Sequence, residues 1–348
     1  MASHRRPKQP SRAYATMVGA TAATAAAVVV SAPSAQADRL PDPTKKGVKA
    51  QVDRLYEGAT QATEKYNGVN EKREKLQEEI SDLQDVVARG REELNELQRG
   101  LGSIAAAQYR GGGIDPSVQL FLSSDPDGYL DKAAALDRIG SKQSATLKRA
   151  QAKQRTLDQQ RELAAEKLED LAGTQKELRE KKKEIQGKLA KAQKLLNTLT
   201  AEERAKIAAE EERANRASER AELGSEASAT ERTAAAFSAA KSRVGMPYVW
   251  GASGPSSFDC SGLTSWAFNQ AGVSIPRTSQ AQADIGTRIN SLSELKPGDL
   301  ILMRDDLSHV GFYAGNGQIL HAPKPGAQVR YEPISTSGMP FMWGVRVS

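Results

Sequence analysis

Cysteine occurs once in these 348 residues and histidine three times. A lone cysteine cannot close an intramolecular disulfide. It likewise excludes multi-cysteine zinc sites and iron–sulfur clusters built from one chain. Aromatic residues are scarce and unevenly placed: only five lie in the 195 residues from Asp38 to Arg232. That is too few for an ordinary globular core. Proline is missing between Pro43 and Pro116, and again between Pro126 and Pro247, so nothing there breaks a long helix. A one-signed charge is missing too. Of the formal +6, Arg5, Arg6, Lys8 and Arg12 supply +4 in the first 37 residues, which contain no acid. The stretch 38–232 is neutral, with 36 residues of each sign, and the remainder carries +2. No basic patch remains to support nucleic-acid binding.

Long apolar runs are also lacking. The only one, about Met17 to Val30, is short, alanine-rich and preceded by the basic residues above. Ala35-Gln36-Ala37 follows as a small-x-small cleavage pattern. Residues 1–37 therefore read as a secretory signal peptide rather than a membrane anchor. The mature chain is expected to be secreted, soluble and extracellular.

What the middle contains is a heptad pattern. Apolar residues at alternating spacings of four and three run from Val48 to Ile104, interrupted only by Arg73 and Gly90. A second series runs from Leu147 to Leu199, with charged flanks. This predicts two long helices, the first about 90 Å in length, paired as a coiled coil. Between them, about residues 110–129, glycines and prolines predict a chain reversal, so the helices should be antiparallel. The apolar run Val118-Gln119-Leu120-Phe121-Leu122 in that tip either caps the hairpin locally or docks on a membrane partner. The hairpin is assigned to 38–210. Residues 211–232, acidic helix followed by Gly224-Ser225, read as a tether, with folding over the active site as the other reading.

The C-terminal stretch 233–348 holds 11 aromatics in 116 residues, enough for one small core. Helical patterns at 233–244 and 263–271 precede short alternating runs from Asp299 onward, with Gly315-Asn316-Gly317 as a hairpin turn. An α+β domain with an antiparallel meander follows.

Cys260 stands just before the second helix, where the helix dipole and free N–H groups would lower a thiol pKa and stabilise an oxyanion. His309 opens one strand and His321 closes the next. A hairpin centred on Gly315 makes them cross-strand neighbours; a two-residue Asn316-Gly317 turn moves them apart. The cysteine and both histidines within one domain point to nucleophilic catalysis. A zinc site with these three ligands has enough donors, but no His-x-x-x-His helix or second cysteine supports it. No metal or cofactor is expected.

Pro247-Tyr248-Val249-Trp250-Gly251, Asp259-Cys260-Ser261-Gly262, Pro276-Arg277-Thr278-Ser279, Pro297-Gly298-Asp299-Leu300, Ser308-His309-Val310-Gly311 and His321-Ala322 occur in that order. Over residues 233–348 the chain resembles the NlpC/P60 cell-wall endopeptidases. The resemblance implies a papain-like domain and a Cys260–His309–His321 catalytic set. It implies hydrolysis of the peptidoglycan stem peptide, typically between D-γ-glutamate and a diamino acid. It also implies that Tyr248 lies beside Cys260 and that Asp259, Ser261 and Arg277 contact substrate. The N-terminal coiled coil resembles that of exported division hydrolases controlled by a membrane complex, which would dock at the tip. A non-hydrolytic wall-binding module and a papain-like acyltransferase are the competing functions.

Overall fold

The computed structural model describes residues 45–110, 118, 128–221, 223, 228 and 230–347. The signal-peptide assignment, most of the hairpin tip and the Gly224-Ser225 segment lie outside the described residues.

Helix α1 spans Lys45–Arg110 and α2 spans Tyr129–Thr198. Their contacts run in opposite directions: Glu93 meets Lys153, Glu79 meets Lys167, and Gly58 lies against Lys188. The helices are therefore antiparallel. Their seam buries Val48, Val52, Ala59, Leu76, Ile80, Val87 and Leu94 with Ala150, Leu157, Leu178, Ile185 and Ala192, all members of the two heptad series. Gly90, which interrupts the apolar series, has a packing reason. A Cβ there would sit 2.6 Å from Leu157 Cδ2, so the glycine is the hole that accepts Leu157.

At Leu199 the backbone turns extended, and Thr200 caps a new helix, α3, over Ala201–Glu219. The cap is reciprocal: Thr200 Oγ1 accepts from Glu203 N, and Glu203 Oε2 accepts from Thr200 N. The acidic helix read as part of a tether is docked on the C-terminal domain.

That domain begins with α4, Glu231–Lys241, and α5, Cys260–Gln270. Gly272 follows α5 with φ +73°, the left-handed conformation that ends a helix. A four-residue helix α6, Ser279–Gln282, precedes the sheet. The strands are β1 Thr287–Ile289, β2 Leu300–Met303, β3 His309–Gly315, β4 Gln318–His321, β5 Arg330–Pro333 and β6 Phe341–Arg346. They form one antiparallel sheet in the order β1-β6-β2-β3-β4-β5. The short edge strand β1 carries no alternation that reveals it in the sequence; pairing with β6 creates it. One sheet face, with Leu300, Leu302, Val310, Phe312 and Val345, packs on Phe237, Leu263 and Phe268 of the helices. The other buries Ile289, Ile301, Met303, Tyr313 and Ile319. The chain is thus a long helical hairpin followed by an α+β domain, with 44–348 one compact unit.

Polar contacts from α1 and α3 reach the domain around the sheet edge. Ser218 Oγ of α3 accepts from Tyr331 N at 2.7 Å, capping a donor of the edge strand β5. Lys324 bridges Asp53 of α1 and Glu211 of α3, each at 3.0 Å.

Candidate active site

Helix α5 starts at Cys260 because Asp259 caps it: Asp259 Oδ1 accepts from Gly262 N at 2.7 Å. Gly262 must be glycine, since a Cβ would lie 2.1 Å from Ala252 O of the preceding loop. Asp259 Oδ2 accepts from Gly251 N at 2.9 Å and Arg277 Nη2 at 2.7 Å. It also accepts from Asn67 Nδ2 of α1 at 3.1 Å. The carboxylate is fully buried and its acceptor capacity is taken up by loop, helix and Arg277.

Cys260 is fully buried, with Sγ 3.9 Å from Ser308 O, immediately before His309. His309 Nε2 lies 2.8 Å from His321 Nδ1, the rings nearly perpendicular at 82°. The β3–β4 turn is the two-residue kind, with Asn316 and Gly317 both at positive φ. An irregularity between Tyr313 and Gly315 then shifts the register, leaving Phe312 opposite Leu320. The two histidines are therefore offset along one face of the sheet, and their side chains close the gap. His321 Nε2 is spent on Glu332 Oε2 at 3.0 Å. His309 Nδ1 is buried with no hydrogen-bond partner. Among the described residues, no three His, Cys, Asp or Glu side chains are placed to hold a metal ion.

The helix N-terminus was expected to lower the Cys260 pKa, and the structure reverses this. Burial pushes the thiol well above its ordinary value, and the Glu64 and Asp259 carboxylates add to it. Backbone N–H groups of Val310 and Ser261 pull the other way and lose. Burial, with His321 and Arg304, pushes His309 well below the usual imidazole range. Both reactive groups are neutral in this arrangement, and no thiolate–imidazolium pair forms. Tyr248, also buried, packs in the same core as Cys260. Its phenol is held well above its ordinary value by burial, then by Cys260 and Asp259.

A side chain from the hairpin adds its charge to the burial of Cys260. Glu64 of α1 reaches the start of α5 and is 1% exposed. Its Oε1 accepts from Ser261 Oγ at 2.7 Å and lies 3.8 Å from Cys260 Sγ. Its Oε2 accepts from Ser279 N at 2.6 Å and Ser279 Oγ at 2.9 Å. Arg277 Nη1 donates to Ser261 Oγ at 2.8 Å, completing a cationic wall. Burial and then Asp259 raise the Glu64 pKa to about 7 against the pull of Ser279, Ser261 and Arg277. Tyr66, two residues on, packs edge-on against Trp250 with centroids 5.5 Å apart.

The seven residues singled out in the sequence fall in two adjoining groups: Cys260, Tyr248, Asp259, Ser261 and Arg277 around the start of α5, and His309 with His321 on β3 and β4, joined where Ser308 O meets Cys260 Sγ. Glu64, Asn67, Ser279 and Glu332 join them. Glu64 looked like a charged flank of a heptad, and Glu332 carried no sequence signal; Ser279 lay inside a quoted motif.

Residues 245–346 match the NlpC/P60 family, so the C-terminal part of this chain is an NlpC/P60 domain. A protein named probable endopeptidase in Corynebacterium glutamicum is 47% identical over 108 residues, 31% of this chain and 50% of that one. A probable endopeptidase of Mycobacterium tuberculosis is 46% identical over 104 residues, 30% of this chain and 27% of that one. The chain therefore spans half or less of the length of these curated relatives. Among solved structures, the P60 domain of a Mycobacterium avium subspecies paratuberculosis antigen is 34% identical. It covers 34% of this chain and 95% of that one, with a TM-score of 0.30.

Proposed function

We propose that this chain is a secreted cysteine endopeptidase that hydrolyses peptidoglycan stem peptides at the D-γ-glutamyl–diamino acid bond, and that helix α1 holds it closed. The observation that carries the chemistry is the histidine pair of β3 and β4, beginning next to Ser308, whose carbonyl lies 3.9 Å from Cys260 Sγ, with His309 anchored through Nε2 and its Nδ1 left without a partner. With the cleft open, His309 Nδ1 takes the Cys260 proton and the thiolate attacks the amide carbonyl. The Cys260 N–H at the helix start stabilises the oxyanion. His309 then protonates the leaving amine, and water releases the acyl group from sulfur. The orienting role of Asp in a serine-protease triad falls to His321.

A D-γ-glutamyl linkage leaves an α-carboxylate free beside the scissile bond. Ser261 and Ser279 are donors suited to that anion, with Arg277 donating to Ser261 beside them, and in the closed arrangement Glu64 occupies both serines. The hairpin thus competes with substrate, and a membrane complex docking at the tip would release it.

Mass spectrometry of wall fragments digested by the full chain tests the reading. The expected products end at D-γ-glutamate, and Glu64→Ala releases them faster than the parent. Cys260→Ala should abolish cleavage; undiminished hydrolysis by that variant overturns the mechanism.

A further inference from the structure

We propose that Glu332 is a positioning residue of this site, whose carboxylate sets the tautomers of both histidines so that His309 Nδ1 is the proton acceptor for Cys260. The inference rests on the cysteine-nucleophile reading above.

Strand β5 pairs with β4 so that Glu332 stands opposite Ile319, and His321 opposite Arg330. Glu332 and His321 are diagonal neighbours on one face, within reach across the strand pair. The contact made is Glu332 Oε2 to His321 Nε2 at 3.0 Å. Burial alone would raise the Glu332 pKa, but the hydrogen bond and charge of His321, with Arg330, hold it below the ordinary carboxylate value. An ionised carboxylate only accepts hydrogen bonds.

The rest follows by proton counting. If Glu332 only accepts, His321 Nε2 carries hydrogen. In neutral His321, Nδ1 is then a lone pair, and at 2.8 Å it must accept from His309 Nε2–H. Neutral His309 is left with a lone pair on Nδ1, the buried atom that has no partner. Without Glu332 nothing prevents the opposite order, in which His321 Nδ1–H donates to His309 Nε2. The His309 proton would then sit on Nδ1, the wrong atom for accepting one from sulfur. Once His309 takes the thiol proton, the Glu332 charge balances the cation through one intervening ring.

The charged groups around the pair are few. Arg330 Nη2 lies 3.5 Å from the same Glu332 oxygen, but Arg330 Nη1 is drawn to Glu211 of α3 at 2.8 Å. Arg304 acts on His309 and has Glu57 of α1 at 3.7 Å. The shorter of the Glu332 contacts is the one to His321, which assigns the carboxylate to the ring before the guanidinium.

Long-range proton–nitrogen spectra of the full chain, labelled at histidine nitrogen, test this directly, with His4→Gln removing the one other imidazole. The expected parent has both His309 and His321 protonated at Nε2. Glu332→Leu should shift both rings towards mixed tautomers. Glu332→Gln keeps an acceptor of the same shape but no charge, and covers the case in which the leucine variant does not fold. Because an amide can donate as well as accept, it should loosen the tautomers, and kcat should fall about tenfold with KM unchanged, as for loss of an outer partner of a functional histidine. Glu332→Asp should recover part of that loss. Protonation of parent His321 at Nδ1 overturns the proposal. So do unchanged tautomers in a folded leucine variant, or an unchanged kcat in the glutamine variant. A parent chain that cleaves nothing would overturn the endopeptidase reading instead, and the tautomers would still decide the role of Glu332.

Discussion

Helix α1 buries two faces that share almost no chemistry. The face towards α2 is apolar, with Val48, Val52, Leu76, Ile80, Val87 and Leu94 packed in a continuous seam. The face towards the NlpC/P60 domain is polar, and Thr60, Thr63, Glu64 and Asn67 are at least as buried. Hydrophobic burial is non-directional and costly to reverse. Buried polar groups are directional and only modestly favourable when satisfied. The same helix is therefore held by an apolar seam on one side and by a geometry-specific polar contact on the other. Its two buried threonines return their hydroxyls to α1 itself, Thr60 to Tyr56 O and Thr63 to Ala59 O. Glu64 and Asn67 carry the bonds across to Ser261, Ser279 and Asp259.

The largest effect should come from breaking the seam. Leu157 is fully buried against the hole at Gly90, so Leu157→Ala should destabilise the hairpin by about 3 kcal/mol. Thermal unfolding followed by circular dichroism checks it, and an unchanged midpoint would mean the seam does not hold the helices.

The polar face should respond in the opposite sense. Glu64→Ala removes the buried hydrogen bonds to Ser261 and Ser279 while leaving the seam intact. A loss of about 2 kcal/mol from the closed arrangement would raise wall-fragment hydrolysis ~30-fold. The helical melting midpoint should move little. Hydrolysis no faster than the parent's would show that Glu64 does not close the cleft.

The smallest effect sharpens the same contrast by pH. Glu64 titrates at about 7 in the closed arrangement, against 4.5 for an ordinary carboxyl. Closure therefore takes up a proton. Its support from Glu64 is complete below the ordinary value and lost as pH rises through about 7. Asp259 and Arg277 face the same carboxylate and set the size of the shift. The ratio of parent to Glu64→Gln hydrolysis rates cancels the titration of Cys260 and His309. That ratio should rise between about pH 5 and about pH 8. A flat ratio would remove Glu64 from the pH response.

How much of this was legible depended on range. The seam could be read because a 3.5-residue period is a local property that survives any tertiary arrangement. Even its flaw had meaning, since Gly90 is the seat of Leu157. The C-terminal motifs marked Cys260, His309 and His321 because each lies at an element boundary that local patterns expose. The offset between the histidines was not legible, as it follows from an irregularity in β3–β4 pairing. Nor was the thiol's environment, because a helix N-terminus fixes only one of the fields acting on sulfur. The desolvation that wins comes from elsewhere in the chain.

The amino-acid order by itself determined the helical hairpin, the α+β domain behind it and the three residues on which chemistry converges. Periodicity and turn chemistry are short-range, and short-range preferences are written in consecutive residues. Only the tertiary structure decided that Glu64, 197 residues from Ser261, fills the cleft. It alone decided that Glu332 stands behind His321 and that α3 lies on the sheet edge. A carboxylate on a helix face or in a strand looks the same in sequence whether water or a buried donor meets it. The partner, and with it the pKa and the role, exists only after the chain has folded.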